Sequence, residues 1–255
     1  MCILFFAIKQ HPKYPLIICA NRDEFHQRPT QAMHWWTNEE KSKEVLAGKD
    51  LQAGGSWLAI NKKGRFSALT NYRKPKSFDV HKKSRGDLVL QALTNKDTEM
   101  TKQLIASASN YNSFNLVFGE LNNLHCFDSE SMTQTKLTTG FHSLCNGALD
   151  DIWPKMALGQ EQLTQYIHSS SSNLIDVEGL FKLMQNTQQA TNENLPNTGL
   201  PLNWEQLLSS IFITSPDYGT RTTNIILQDD KGHISIYDRS YDELGNCIQK
   251  QLYTL

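Results

Sequence analysis

No apolar run in this 255-residue chain is long enough to cross a bilayer. The first run, Ile3 to Ile8, stops at Lys9, whereas a spanning helix needs about 20 apolar residues, and no basic stretch precedes it as in a signal peptide. Stable membrane insertion is therefore not expected. An excess of charge of either sign is also missing: 25 Lys plus Arg face 26 Asp plus Glu, so no global field recruits nucleic acid or an anionic surface. The five cysteines, Cys2, Cys19, Cys126, Cys145 and Cys247, are odd in number and show no CxxC spacing. That argues against a disulfide framework and a structural zinc site, and fits a reducing cytoplasm. Gly54-Gly55 is followed by no helix and lacks the lysine of a phosphate-binding loop, so it reads as a turn or a close backbone approach. Asp150-Asp151 lacks the spaced oxygens of a calcium loop. Any partner must be recognised by a local site.

What is present begins at Cys2. Aminopeptidase trimming usually removes an initiator Met that precedes a small residue, and an N-terminal cysteine then carries both a thiol nucleophile and an α-amine base. Their ordinary pKa values, about 8.5 and about 7.7 to 8.0, lie close enough for neighbouring charges to set which group holds the proton. Arg22 and Asp23 are such neighbours if the first two strands pair. As a plain alternative, Cys2 is a small apolar residue at a strand start.

The apolar periods predict strands over Cys2–Lys9 and Leu16–Asn21, the second delivering Asn21, Arg22, Asp23 and Glu24 to its end. Trp57–Asn61 and Arg65–Thr70 flank a tight-turn signal at Lys62-Lys63-Gly64. Helical spacing follows in Gly86–Thr94 and Met100–Ala108, with Ser84 as an N-cap candidate. Strands are predicted again over Phe114–Gly119, Leu124–Asp128 and Thr139–Leu144, then helices over Trp153–His168 and Asp176–Met184. Residues 186–203 are polar and aperiodic and read as an exposed, flexible loop. Strands over Ile211–Thr214, Thr222–Leu227, Ile234–Arg239 and Cys247–Tyr253 complete a single domain spanning 1–255.

Ordered motifs then carry a resemblance: Met1-Cys2-Ile3, Ala20-Asn21-Arg22-Asp23-Glu24-Phe25 with Arg28-Pro29, Gly54-Gly55-Ser56-Trp57-Leu58, Ala68-Leu69-Thr70-Asn71-Tyr72, Arg85-Gly86-Asp87-Leu88, Tyr111-Asn112-Ser113-Phe114-Asn115-Leu116 and Tyr218-Gly219-Thr220-Arg221-Thr222. Over essentially its whole length the chain resembles the NRDE family, also called the transport and Golgi organisation protein 2 family. Ser143-Leu144-Cys145-Asn146 also matches, with Cys145 where the family commonly has serine, and Cys145 is assigned no role. The resemblance implies an α+β fold, a four-layer αββα sandwich of the N-terminal-nucleophile hydrolase type with two antiparallel sheets between helices.

By that resemblance the catalytic roles of choloylglycine hydrolases would fall on Cys2, Arg22, Asp23, Asn146 and Arg221. Those hydrolases separate the early Arg and Asp, whereas here they are adjacent, and adjacent strand residues point to opposite faces. Both reach Cys2 only if the strand ends or bulges at Asn21. Arg221 has an alternative reading as a turn residue that caps carbonyls. The family resemblance further implies haem binding and intracellular haem trafficking, between donor and acceptor proteins it does not name, with acyl-CoA or lipid handling as another implied activity. Haem needs apolar walls, cations for its propionates and an axial ligand. The residues assigned to such a ligand are Cys2, Asn21, Arg22, Trp57, Asn71, Tyr72, Arg85 and Arg221, with Trp35, Trp36 and Arg73 as further wall and cation candidates. His26 and His34 read as packed or solvated residues, and no CxxCH attachment motif is present. Haem trafficking is the leading expectation. A cysteine amidohydrolase for a small amide or acyl substrate is the alternative.

Overall fold

The structure is a computed structural model that describes residues 2–36, 44–74, 78–169 and 174–255, with the Cys2 side chain outside the described set. The apolar run after the first residue forms β1 (Cys2–Ile8) and pairs with β2 (Leu16–Phe25) in unbroken register from Cys2↔Arg22 to Ile8↔Leu16. The chain continues through β3 (Thr30–Trp35), β4 (Val45–Asp50), β5 (Leu58–Asn61), β6 (Arg65–Asn71), β7 (Phe114–Glu120), β8 (Asn123–Asp128) and β9 (Thr133–Lys136), a meander that pairs in sequence order into a seven-stranded antiparallel sheet. It then returns as β10 (Gly140–Leu144), β11 (Tyr218–Gln228), β12 (Ile234–Tyr241) and β13 (Cys247–Thr254), completing a six-stranded antiparallel sheet in the order β10-β1-β2-β11-β12-β13. Helices α1 (Gly86–Thr94), α2 (Asp97–Ser107), α3 (Pro154–Ser169), α4 (Val177–Met184) and α5 (Leu202–Leu207) complete the α+β inventory.

The chain divides into two compact units, one holding the chain up to Gln27 and from Thr138 to Leu255, the other Arg28–Leu137. In the first, Ile3, Phe5, Ile17 and Cys19 on one face of the sheet pack with Met156 and Leu163 of α3 and Phe181 and Met184 of α4. Strand side chains alternate between faces, so the odd-numbered residues of β1 and β2 form the helix-covered side. Gly159 lets α3 approach closely: a Cβ there would sit 2.1 Å from Phe5 Cζ. In the second unit, Leu88 and Ala92 of α1 and Met100 and Leu104 of α2 pack on Phe114, Leu116 and Phe118 of β7. Each fully buried Leu or Phe contributes about 1.5–3 kcal/mol of apolar transfer, the main favourable term in both units.

Three expectations are corrected. Ile211–Thr214 is not a strand, because its backbone groups are committed elsewhere: Phe212 N donates to Asn186 O at 2.8 Å and Ile213 N to Thr220 Oγ1 at 2.9 Å. β2 does not end at Asn21 but runs through the whole Asn-Arg-Asp-Glu motif to Phe25, since β11 starts early at Tyr218 and pairs with it to the end. α1 is preceded by Arg85, with Ser84 Oγ accepting from Gly86 N at 3.4 Å in place of a cap on the helix interior. The segment 186–203 contains a 3-10 turn at Asn192–Asn194 and reaches the start of α5, and it is tied down where Ala190 N donates to Ser209 Oγ at 2.9 Å and Thr198 N to Glu205 Oε1 at 2.9 Å.

Candidate functional site

The Asn-Arg-Asp-Glu motif lies inside β2, flanked by β1 on one side and β11 on the other. There is no bulge in the β1–β2 pair at Asn21, so strand alternation divides the motif. Asn21 and Asp23 share the helix-covered side with Cys19, while Arg22 and Glu24 share the opposite side. The register break is on the other strand, between Thr220 and Thr222, which makes Arg221 the bulged residue. Adjacent Arg and Asp therefore do not turn to one side of the sheet, and the condition under which both reach Cys2 is not met by a bulge in β2.

Asn21 is buried and fully occupied. Its Nδ2 donates to Met184 O at 2.8 Å and Ile211 O at 2.9 Å, and its Oδ1 accepts from Thr223 Oγ1 at 2.6 Å. Asp23, also buried, accepts from Thr220 Oγ1 at 2.7 Å, and the same hydroxyl accepts from Ile213 N at 2.9 Å. Burial pushes the Asp23 carboxyl above its usual range, opposed by the Lys155 ammonium, the Thr220 hydrogen bond and the Arg22 charge. Lys155 is itself buried at the start of α3. Sequence reading missed this lysine, yet its position gives a signal: it stands on the buried stripe of α3 with Gly159, Leu163 and Ile167.

Arg22 is 5% exposed, with Nη2 3.7 Å from Glu24 Oε2, and its Cα lies opposite that of Cys2. The Cys2 thiol and the Met1 amine lie outside the described residues. Arg221 Nη1 donates to His26 O at 3.0 Å and Phe25 O at 3.3 Å, so the carbonyl-capping reading of this arginine is realised at the end of β2. Asn146 is buried two residues past Leu144, the β10 residue opposite Leu4. Cys145 packs in the core with its Sγ 3.2 Å from Met156 Sδ.

Trp57, Asn71, Tyr72 and Arg85 belong to the other unit. The Trp57 ring lies against Gly48, where a Cβ would fall 2.2 Å from Cη2. Asn71 closes β6 opposite Phe114, Tyr72 N donates to Ser113 O at 2.9 Å, and Arg85 Nη1 donates to the same carbonyl at 3.0 Å. At the second glycine of the motif the chain makes a close approach: a Cβ on Gly55 would sit 2.6 Å from the Gly86 carbonyl carbon, so Gly55 and Gly86 meet backbone to backbone. His26 Nε2 lies 3.0 Å from Ser215 O and His34 Nδ1 2.9 Å from Ala32 O, in keeping with packed histidines. Among the described residues no cluster of His, Cys, Asp and Glu could hold a metal ion, and no helix is long and apolar enough to cross a membrane.

The family model for Transport and Golgi organisation 2 matches residues 1–243. The chain belongs to this family. Among Transport and Golgi organisation 2 relatives, the homolog from Homo sapiens is 31% identical over 94% of this chain and 93% of its own length. The homolog from Bos taurus is 30% identical, with the same shares of both chains covered. The crystal structure of a mutant conjugated bile acid hydrolase from Clostridium perfringens is similar in fold, with a TM-score of 0.52 at 10% identity, covering 100% of this chain and 92% of that one. A second variant of that hydrolase gives 0.51 at 12% identity. The chain thus has two antiparallel sheets with helices, in the fold of that bile acid hydrolase. Fold alone assigns no activity.

Proposed function

We propose that this chain binds an amphipathic anionic small molecule, haem being the expected cargo, and passes it between donor and acceptor proteins in the cytoplasm. The observation that carries this reading is the division of the Arg22-Asp23 pair. The acid is drawn to the helix-covered side and held by Thr220, while the arginine stands on the other side in register with Cys2. A hydrolase built on the resemblance needs both groups at the nucleophile, whereas a binding site for a carboxylate needs the cation. Propionates of haem are such carboxylates.

A haem titration followed by absorbance tests it. Arg22→Ala removes one charge-assisted contact worth about 1.5–3 kcal/mol, so the dissociation constant should rise roughly ten- to hundredfold. His26→Ala and His34→Ala should leave affinity and Soret position unchanged, because both rings are engaged with backbone carbonyls. A histidine variant that abolishes the Soret shift while Arg22→Ala binds normally would overturn the reading.

The second reading, an N-terminal cysteine amidohydrolase, is supported by the bile acid hydrolase fold and by the Cys2↔Arg22 register. Cys2-dependent release of amine from a panel of small amides would favour it over carriage.

A further inference from the structure

Four register pairs place one row across the six-stranded sheet: Cys2↔Arg22, Arg22↔Thr222, Thr222↔Ser240 and Ser240↔Gln249. Directly opposed residues share a face, with Cβ atoms about 4.5–5.5 Å apart. In this row Arg22 is 5%, Thr222 2% and Ser240 9% exposed. The hydroxyls of Thr222 and Ser240 are buried and have no hydrogen-bond partner. The helix-covered side of the same strands behaves differently, since Thr223 and Thr220 spend their hydroxyls on Asn21 and Asp23. The neighbouring polar pair on the row's own side is also engaged, Asn224 Nδ2 donating to Asp238 Oδ1 at 2.7 Å. Buried hydroxyls ordinarily find partners, so two adjacent unengaged ones in the row of a buried arginine are donors open to an acceptor group.

We infer that Thr222 and Ser240 form, with Arg22, the subsite that holds a carboxylate of the ligand. This rests on the reading that the protein binds an amphipathic anion, and it names the residues that recognise the charged end. Both hydroxyls rotate to donate, and the guanidinium supplies the charge that makes such bonds short and strong. A singly charged carboxylate fits better than a phosphate dianion because Glu24 and Asp238 stand on this side of the sheet and repel each further negative charge a ligand brings. Strands lie about 4.7–4.9 Å apart, so a carboxylate at Thr222 and Ser240 stands two to three strands, roughly 10–14 Å, from Cys2. The ligand would thus lie along the row with its anionic end away from the first strand.

The test uses the full chain as wild type, Thr222→Val, Thr222→Ser and Ser240→Ala, titrated with two carboxylates, haem and laurate, and with their methyl esters. Wild type should prefer each acid that binds over its ester. Thr222→Val and Ser240→Ala should each weaken acid binding about tenfold while leaving the ester unchanged, and Thr222→Ser should restore the acid. Should Thr222→Val fail to fold, the acid-to-ester ratio of Ser240→Ala decides the matter. A purely structural role would lower thermal stability without touching the acid-to-ester ratio, and that result overturns the subsite. So does equal affinity of wild type for acid and ester, or no binding of either acid. Haem binding that ignores both hydroxyls sinks the subsite and leaves haem carriage standing. Hydroxyl-dependent laurate binding without haem binding keeps the subsite and removes haem as the cargo.

Discussion

Thr223 Oγ1 donates to Asn21 Oδ1 at 2.6 Å across the β2–β11 pair, and the Asn21 amide nitrogen reaches on to the carbonyls of Met184 and Ile211. One side chain thereby joins two central strands to the C-terminal end of α4 and to the segment that leads into β11. The first residue of the motif is a clamp with every polar atom engaged, not a group waiting for substrate.

Asn21→Leu should leave two carbonyls and one hydroxyl buried without their partner. Each such group costs about 1–3 kcal/mol, and partial relaxation reduces the sum, so a loss of about 2–5 kcal/mol is expected. Urea unfolding of the variant measures it. A loss under about 0.5 kcal/mol, typical of surface changes, would show that the clamp contributes nothing.

Lys155 and Asp23 should behave as one buried unit. Removing the cation by Lys155→Met leaves a buried carboxylate uncompensated, at a cost of about 3–5 kcal/mol near neutral pH, and Lys155→Met with Asp23→Asn should recover most of that loss. The sign with pH follows from the raised Asp23 value: the folded state holds the carboxyl proton more tightly than the unfolded chain does, so stability is greatest below the ordinary carboxyl range and falls as pH rises through the folded value. Loss of Lys155 raises that value further. The deficit of Lys155→Met should therefore shrink as pH falls toward 4, and a pH-independent deficit would refute the coupling.

His142 hydrogen-bonds Asp150 at 2.7 Å through Nδ1, which raises its pKa above 6.5, assisted by the Thr138 carbonyl and opposed by partial burial. A raised histidine value stabilises the fold fully below about 6.5 and loses that contribution as pH rises through the folded value. Asp150→Asn keeps a residue that tolerates the φ of 59° at this position. Its unfolding midpoint should fall below wild type at pH 6 and converge toward it above pH 8. Parallel curves across that range would exclude the ion pair as the cause.

Gly55→Ala should be far worse than Gly54→Ala. At Gly55 the new Cβ meets the Gly86 backbone at 2.6 Å, where no side chain can move aside, whereas at Gly54 it meets open space and only the φ of 78° is strained. The second change should cost about 1–2 kcal/mol and the first clearly more. Thermal unfolding of the two variants settles the order, and equal midpoints would contradict the close approach.

The strands read from the apolar periods over Phe114–Gly119, Leu124–Asp128 and Ile234–Arg239 appear in the fold, as does α1 at Gly86–Thr94, because burial of alternating or helically spaced side chains is a local pattern. β3, β4 and β9 were not legible: β3 mixes polar with apolar residues, and β9, Thr-Gln-Thr-Lys, is exposed throughout and owes its conformation to hydrogen bonds with β8. The same division holds for the candidate site. The sequence by itself determined that Asn21, Arg22 and Asp23 put polar groups at an apolar strand, where they are costly unless they are engaged. Which way each points was decided by tertiary pairing. β11 carried β2 straight through the motif and took the bulge on Arg221, so Asp23 turned to Thr220 and Lys155 while Arg22 joined Thr222 and Ser240 on the far face. Strand length and bulge position depend on a partner some 200 residues away, and no local pattern in β2 contains them.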